Sequence, residues 1–101
     1  MYKKAISEGG IAVVTGAASG VGLAAATRFA QAGLGVILAD LPGPALEEAT
    51  EKVRAAGTVG VDIFAVPTDV GDMAQVEALA EKAFQTGPVA VLMNNAGISL
   101  P

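Results

Sequence analysis

The chain has 101 residues, of which 52% are hydrophobic and 4% aromatic, and its six basic and ten acidic residues give a net charge of −4. That length holds one domain burying roughly 65% of its extended surface, with a thin core of small side chains such as Ala and Val. The basic residues form neither a stripe for nucleic acid nor a patch for a membrane surface, and the absence of cysteine excludes a disulfide framework and fits a reducing cytosol. No run approaches ~18 apolar residues, so a cytoplasmic protein is expected. The first ten residues, "MYKKAISEGG", carry two lysines without an apolar stretch behind them and read as a tail over 1–10.

The remaining residues, 11–101, alternate regularly in hydrophobic period. "IAVVT" (11–15) is a continuous, β-branched run, the pattern of a strand covered on both faces. A helix is predicted from Gly20 to Ala32, with Leu23, Ala26, Phe29 and Ala30 on one stripe and Gly33 as its stop. "GVILAD" (35–40) is a second buried strand. The next helix starts with Pro44 in its first turn and ends at Gly57; Ala45, Leu46, Ala49, Val53 and Ala56 are expected inside, and Glu47, Glu48, Glu51 and Lys52 outside. "VDIFAV" (61–66) is the third strand. Asp72 is placed as an N-cap with Gln75 three residues on, ahead of an apolar stripe of Met73, Val76, Leu79, Ala80 and Ala83. "VAVLMN" (89–94) is the fourth strand, with Val89, Val91 and Met93 expected on one face and Ala90 and Leu92 on the other.

This βαβαβαβ order contains no linker, repeat or second domain. Strands joined by single helices run parallel, and right-handed crossovers put the first two helices on one face of the sheet. The doubly wound arrangement returns the fourth strand to the far side of the first, giving the order 3-2-1-4 with the third helix on the opposite face. Ligands in such sheets bind where the strand order reverses, beyond the carboxyl ends of strands 1 and 4. "TGAASGVG" (15–22) and "NNAG" (94–97) occupy those two ends.

Each glycine has a physical reading. Gly16 permits a tight exit from the first strand, Gly20 lets backbone approach a pyrophosphate, and Gly22 allows the helix to pack closely. Amides at the helix start favour an anion. An ordinary strand-to-helix turn would show similar glycines. Asp40, eighteen residues after Gly22, closes the second strand where a carboxylate can accept both hydroxyls of an adenosine ribose; alone, it would also suit a solvated strand end. Asp40 repels a 2′-phosphate, and Ala17, Ala18, Ser19 and Leu41 supply no cation to receive one, so NAD is expected over NADP.

The Thr-Gly-x-x-x-Gly-x-Gly spacing, the acidic end of strand 2, "DV" (69–70) and "NNAG" (94–97) together resemble the classical short-chain dehydrogenases/reductases, from Ile11 onward. The resemblance implies a partial Rossmann fold, stopping after strand 4, in which Gly16, Ala18, Ser19, Gly20, Val21 and Gly22 hold the pyrophosphate and Asp40 and Leu41 the ribose. It further implies Asp69 at the adenine amino group with the Val70 backbone beside it, Asn94, Asn95, Ala96 and Gly97 along the adenine and ribose side of the cleft, and Ile98 near the nicotinamide ribose. Simpler roles stay open: Asp69 as a loop cap, and Asn94 and Asn95 as ties between strand 4 and the Thr15 turn.

That family's Tyr and the Lys four residues later are not in these 101 residues. The one tyrosine, Tyr2, is followed four positions on by Ile6. The chain therefore reads as the NAD-binding part of an oxidoreductase, inactive by itself, with no catalytic residue and no metal ligand. "LADLPG" (38–43) is similar to short-chain 3-hydroxyacyl-CoA and hydroxysteroid dehydrogenases. A half-domain binding S-adenosylmethionine, or a non-catalytic assembly or nucleotide-sensing remnant, are the rival readings. Strand 4 becomes an edge, apolar on both faces, so self-association through residues 89–94 or the bare sheet face is expected.

Overall fold

Strand β1 (Ile11–Thr15) is buried along its whole length, as a β-branched run covered on both sides of a sheet must be. It is followed by α1 (Gly20–Gln31), β2 (Gly35–Asp40), α2 (Pro44–Ala56), β3 (Ile63–Pro67), α3 (Met73–Thr86) and β4 (Val89–Asn94). These elements come from a computed structural model, which describes residues 10–95. All strand pairs are parallel, and the sheet order is β3-β2-β1-β4. The connection rules applied to the sequence lead to this same order.

The pleat divides the core in two. Ala12, Val14, Val36 and Leu38 pack against Ala26 and Ala30 of α1 and Leu46, Ala49 and Val53 of α2. Ile11, Val13, Ile37 and Ala39 point the other way, toward Leu79 and Ala83 of α3. Two helices cover the first face, whereas α3 alone covers the second, and Met73, Phe84 and Leu92 stay exposed around it.

Several expected details differ. Strand β3 begins at Ile63, not Val61, because the Val61 amide turns back to the Thr58 carbonyl and ladder pairing with Val36 starts at Ile63. It runs on to Pro67, which this edge strand accommodates. Ala45 is exposed and Thr50 takes an inward position instead, its hydroxyl donating to the Leu46 carbonyl at 2.7 Å. Met73 and Ala80 are exposed, because α3 meets the sheet only through its Leu79–Ala83 side.

The faces of β4 are rearranged by a bulge. Ile11 pairs with Val89 but Ala12 pairs with Val91, which leaves Ala90 as an extra residue. An inserted residue reverses the alternation beyond it. Val89 therefore packs on the α3 side, and Ala90, Val91 and Met93 on the α1–α2 side, so Val89 does not share a face with Val91 and Met93.

Candidate functional site

At the carboxyl ends of β1 and β4 the backbone opens a cleft of about 520 Å³. Gly16, Ser19, Gly20, Val21, Asp40, Leu41, Thr68, Asp69, Val70 and Asn95 line it. The fold thus brings the glycine turn, the end of β2, the β3–α3 loop and the end of β4 to one place. Ala18 joins through its amide; Ala96, Gly97 and Ile98 lie outside the described residues.

The glycine turn is built by backbone conformation and close approach. Gly16 and Gly20 have φ of 65° and 58°, the left-handed region that L side chains resist. A Cβ on Gly20 would meet nothing within 4 Å, so it is the backbone angle that requires glycine there. A Cβ on Gly22 would lie 2.1 Å from the Gly16 carbonyl oxygen and 2.9 Å from Asn95 Nδ2. Gly22 thus admits the turn and the end of β4, a tighter demand than general packing of helix on strand.

Helix α1 opens at Ser19 without any side-chain cap and with no acidic residue in its first turn. Its leading amides and the positive end of its dipole therefore have no capping side chain of the helix's own, a setting suited to an anion.

Asp40 staples the turn to β2. Its Oδ2 accepts from the Ala18 amide at 2.9 Å and its Oδ1 from the Leu41 amide at 2.8 Å. A carboxylate has about four lone-pair sites, so each oxygen keeps capacity for a ligand hydroxyl. The Ala17 amide adds a bond to the Ala39 carbonyl at 3.2 Å.

The two asparagines have the tying role. The Thr15 hydroxyl donates to Asn94 Oδ1 at 3.2 Å and accepts from the Asn95 amide at 2.9 Å, while Asn95 Nδ2 donates to the Gly16 carbonyl at 3.3 Å. Asp69 caps its own loop, its Oδ1 accepting from the Gly71 amide at 2.9 Å. Asp72 caps α3 through the Ala74 amide at 3.0 Å.

Two contributors were not singled out as site residues from sequence. Thr68 is 2% exposed, and its amide donates to the Asp40 carbonyl at 2.7 Å, which sets the floor of the cleft. A threonine between Pro67 and Asp69 has the composition of an ordinary turn, which carries no mark of burial. The spacing of Gln75 from Asp72 predicts half of a capping box, yet the Gln75 Oε1 accepts from the Asp69 amide at 2.8 Å.

Charge in the cleft is one-sided. Among the described residues its lining includes Asp40 and Asp69 and no lysine or arginine. Val21 and Leu41, exposed by 68% and 60%, give it apolar flanks. Among the described residues no cluster of His, Cys, Asp and Glu could hold a metal, and no helix is long and apolar enough to cross a membrane.

A parallel sheet whose order reverses between β1 and β4, with a glycine turn at the reversal, defines a doubly wound α/β protein of the Rossmann type. The family model for short chain dehydrogenases matches residues 10–101, and the chain belongs to that family. A curated relative, 1-deoxy-11-beta-hydroxypentalenate dehydrogenase of Streptomyces exfoliatus, is 48% identical over 91 residues, covering 89% of this chain and 32% of its own length. A short chain dehydrogenase/reductase from Burkholderia phymatum in complex with NAD is 42% identical, with a TM-score of 0.69 over 77% of this chain and 27% of that one. Actinorhodin polyketide ketoreductase with NADPH is 36% identical, with a TM-score of 0.78 over 89% and 34%. The chain thus spans about a third of the length of such relatives.

Proposed function

We propose that the cleft binds NAD. In this reading Gly16, Ala18, Ser19, Gly20, Val21 and Gly22 cradle the pyrophosphate, Asp40 and Leu41 hold the adenosine ribose, and Asp69 and Val70 meet the adenine. Asn95 lines the near side; Ala96, Gly97 and Ile98, which lie outside the described residues, are assigned to the same nucleotide. The residues fit the group: an uncapped helix start faces the space, Gly20 leaves its backbone bare, and the volume lies in the ~300–1,000 Å³ range of ligand pockets. Family relatives with NAD and with NADPH both exist. The observation that favours NAD is the lining itself, which among the described residues has two carboxylates and no cation and so disfavours a 2′-phosphate.

Bound nicotinamide would supply hydride transfer with the carbinol or carbonyl carbon of a substrate in the whole enzyme. The 101 residues hold the nucleotide but contain no Tyr followed four positions later by Lys, and by themselves they do not turn over substrate. The "LADLPG" turn suggests a 3-hydroxyacyl-CoA or a hydroxysteroid as the substrate class. A second copy of the chain, meeting β4 or the exposed apolar face beside it, is the expected partner; nucleic acid and membrane are not, and the working compartment is the cytoplasm.

Calorimetric titration with NAD, NADP and S-adenosylmethionine tests this reading. NAD should bind best. Asp40→Ala should lose about 10- to 100-fold of affinity for NAD, the value of hydrogen bonds to a charged acceptor, and much less for NADP. Preference for NADP would refute the role of Asp40, and absence of binding to all three would leave an assembly role.

A further inference from the structure

The β3–α3 loop carries a hydrogen-bond arrangement that helix capping does not account for. In a capping box the third helical residue reaches back to the amide of the N-cap residue. Here Gln75 instead extends three residues further back, accepting the Asp69 amide on Oε1 at 2.8 Å. The Asp72 amide, the usual target, pairs with the Asp69 carbonyl at 3.0 Å. Both backbone polar groups of Asp69 are therefore held from the start of α3.

The Gln75 amide group is oriented in turn. Its Nε2 donates to Asp72 Oδ2 at 3.1 Å, while Asp72 Oδ1 is fixed by the Ala74 amide at 3.0 Å. This pairing decides which end of the Gln75 amide faces Asp69. Gly71 holds Asp69 Oδ1 at 2.9 Å, and the neighbouring Thr68 amide ties the loop to the Asp40 carbonyl at 2.7 Å. The chain from Asp72 through Gln75 to Asp69 ends at the wall of the cleft. Gln75 is exposed and belongs to neither hydrophobic cluster, and the hydrogen bonds of its side chain run to Asp69 and Asp72.

We infer that Gln75 is a positioning residue for the base-recognising wall of the nucleotide cleft, acting through Asp69, with Asp72 setting the direction of its amide. This rests on the assignment of Asp69 to the adenine amino group. A loop that is ordered before binding spares the ligand the entropy of ordering it. Removing Gln75 should thus weaken recognition of the base while leaving the phosphate turn intact.

The test uses the 101-residue chain, titrated calorimetrically with NAD and with nicotinamide hypoxanthine dinucleotide, in which an oxygen replaces the adenine amino group. The native chain should favour NAD. Gln75→Leu should lose about fivefold of NAD affinity, the value of one hydrogen bond, with little change for the hypoxanthine analogue, so that discrimination falls. Gln75→Glu keeps the acceptor for Asp69 but sets a second carboxylate against Asp72, and discrimination should again fall. Combining it with Asp72→Asn exchanges donor and acceptor along the same chain of bonds, and since Asn also caps helices, discrimination should return.

Hydrogen exchange supplies a second measurement that needs no nucleotide. In Gln75→Leu the Asp69 amide should exchange faster while Leu38, in the core of β2, stays protected. Equal affinity of the native chain for the two dinucleotides would overturn the assignment of Asp69. Discrimination by the native chain that persists unchanged in Gln75→Leu, or a double variant that fails to recover it, would overturn the positioning role alone.

Discussion

Asp40 does two jobs with one carboxylate. It faces the cleft, and it holds the glycine turn against β2 through the Ala18 amide at 2.9 Å. Replacing it therefore loosens the turn as well as changing the lining of the cleft, and a thermal melt should accompany any binding measurement. Gly22 shows how a side chain that is absent can be specified as tightly as one that is present. Gly22→Ala drives a methyl into a backbone carbonyl, which must move, at a cost of about 1–3 kcal/mol typical of overpacking. Gly20→Ala meets open space and should cost about 1–2 kcal/mol from its left-handed backbone alone. Urea unfolding of both variants checks the pair. In the proposed site both should weaken nucleotide binding, Gly20→Ala by setting a methyl where bare backbone would meet the pyrophosphate and Gly22→Ala by displacing Gly16 and Asn95. An unchanged midpoint in Gly22→Ala would show that the turn gives way freely.

At the scale of elements, burial on two faces or one decides what a side chain is worth. Ile37, fully buried in β2 between β1 and β3, should cost about 2–5 kcal/mol when cut to Ala. Leu92, 68% exposed on β4, should cost less than about 0.5 kcal/mol by the same change at dilutions where the chain is monomeric. Similar losses for the two would mean that Leu92 is covered in solution.

Elements with a strong period were legible in the amino-acid order. The continuous apolar runs of β1 and β2 and the polar face of α2 lie where the pattern puts them. The start of β3 and the faces of β4 were not legible. A bulge at Ala90 depends on the register against β1, and no residue in "VAVLMN" announces it. Likewise the reach of Gln75 to Asp69, past its expected partner, depends on how the loop folds back.

For the whole molecule, uneven cover is the dominant feature. The α1–α2 face is covered by two helices, but on the other face Met73, Phe84 and Leu92, at 70%, 74% and 68% exposure, border an apolar groove of about 350 Å³ between α3 and the sheet. With a net charge of only −4, like-charge repulsion between copies is modest. Sedimentation velocity over a range of concentrations should show self-association that weakens in Leu92→Gln and Phe84→Gln. A monomer at every concentration would exclude it.

The order of elements, the placing of a glycine turn at the end of β1 and a carboxylate at the end of β2 were already present in the one-dimensional pattern. Hydrophobic period, turn residues and crossover handedness act locally or by rule, and they lead to the 3-2-1-4 sheet without coordinates. Tertiary structure decided what depends on distant groups meeting. The Gly22 Cβ position is closed by Gly16 and Asn95, and the Asp40 carboxylate is shared with the Ala18 amide. Each joins residues far apart in the chain, or depends on a backbone turn that only the packed sheet imposes, so no local pattern could encode it.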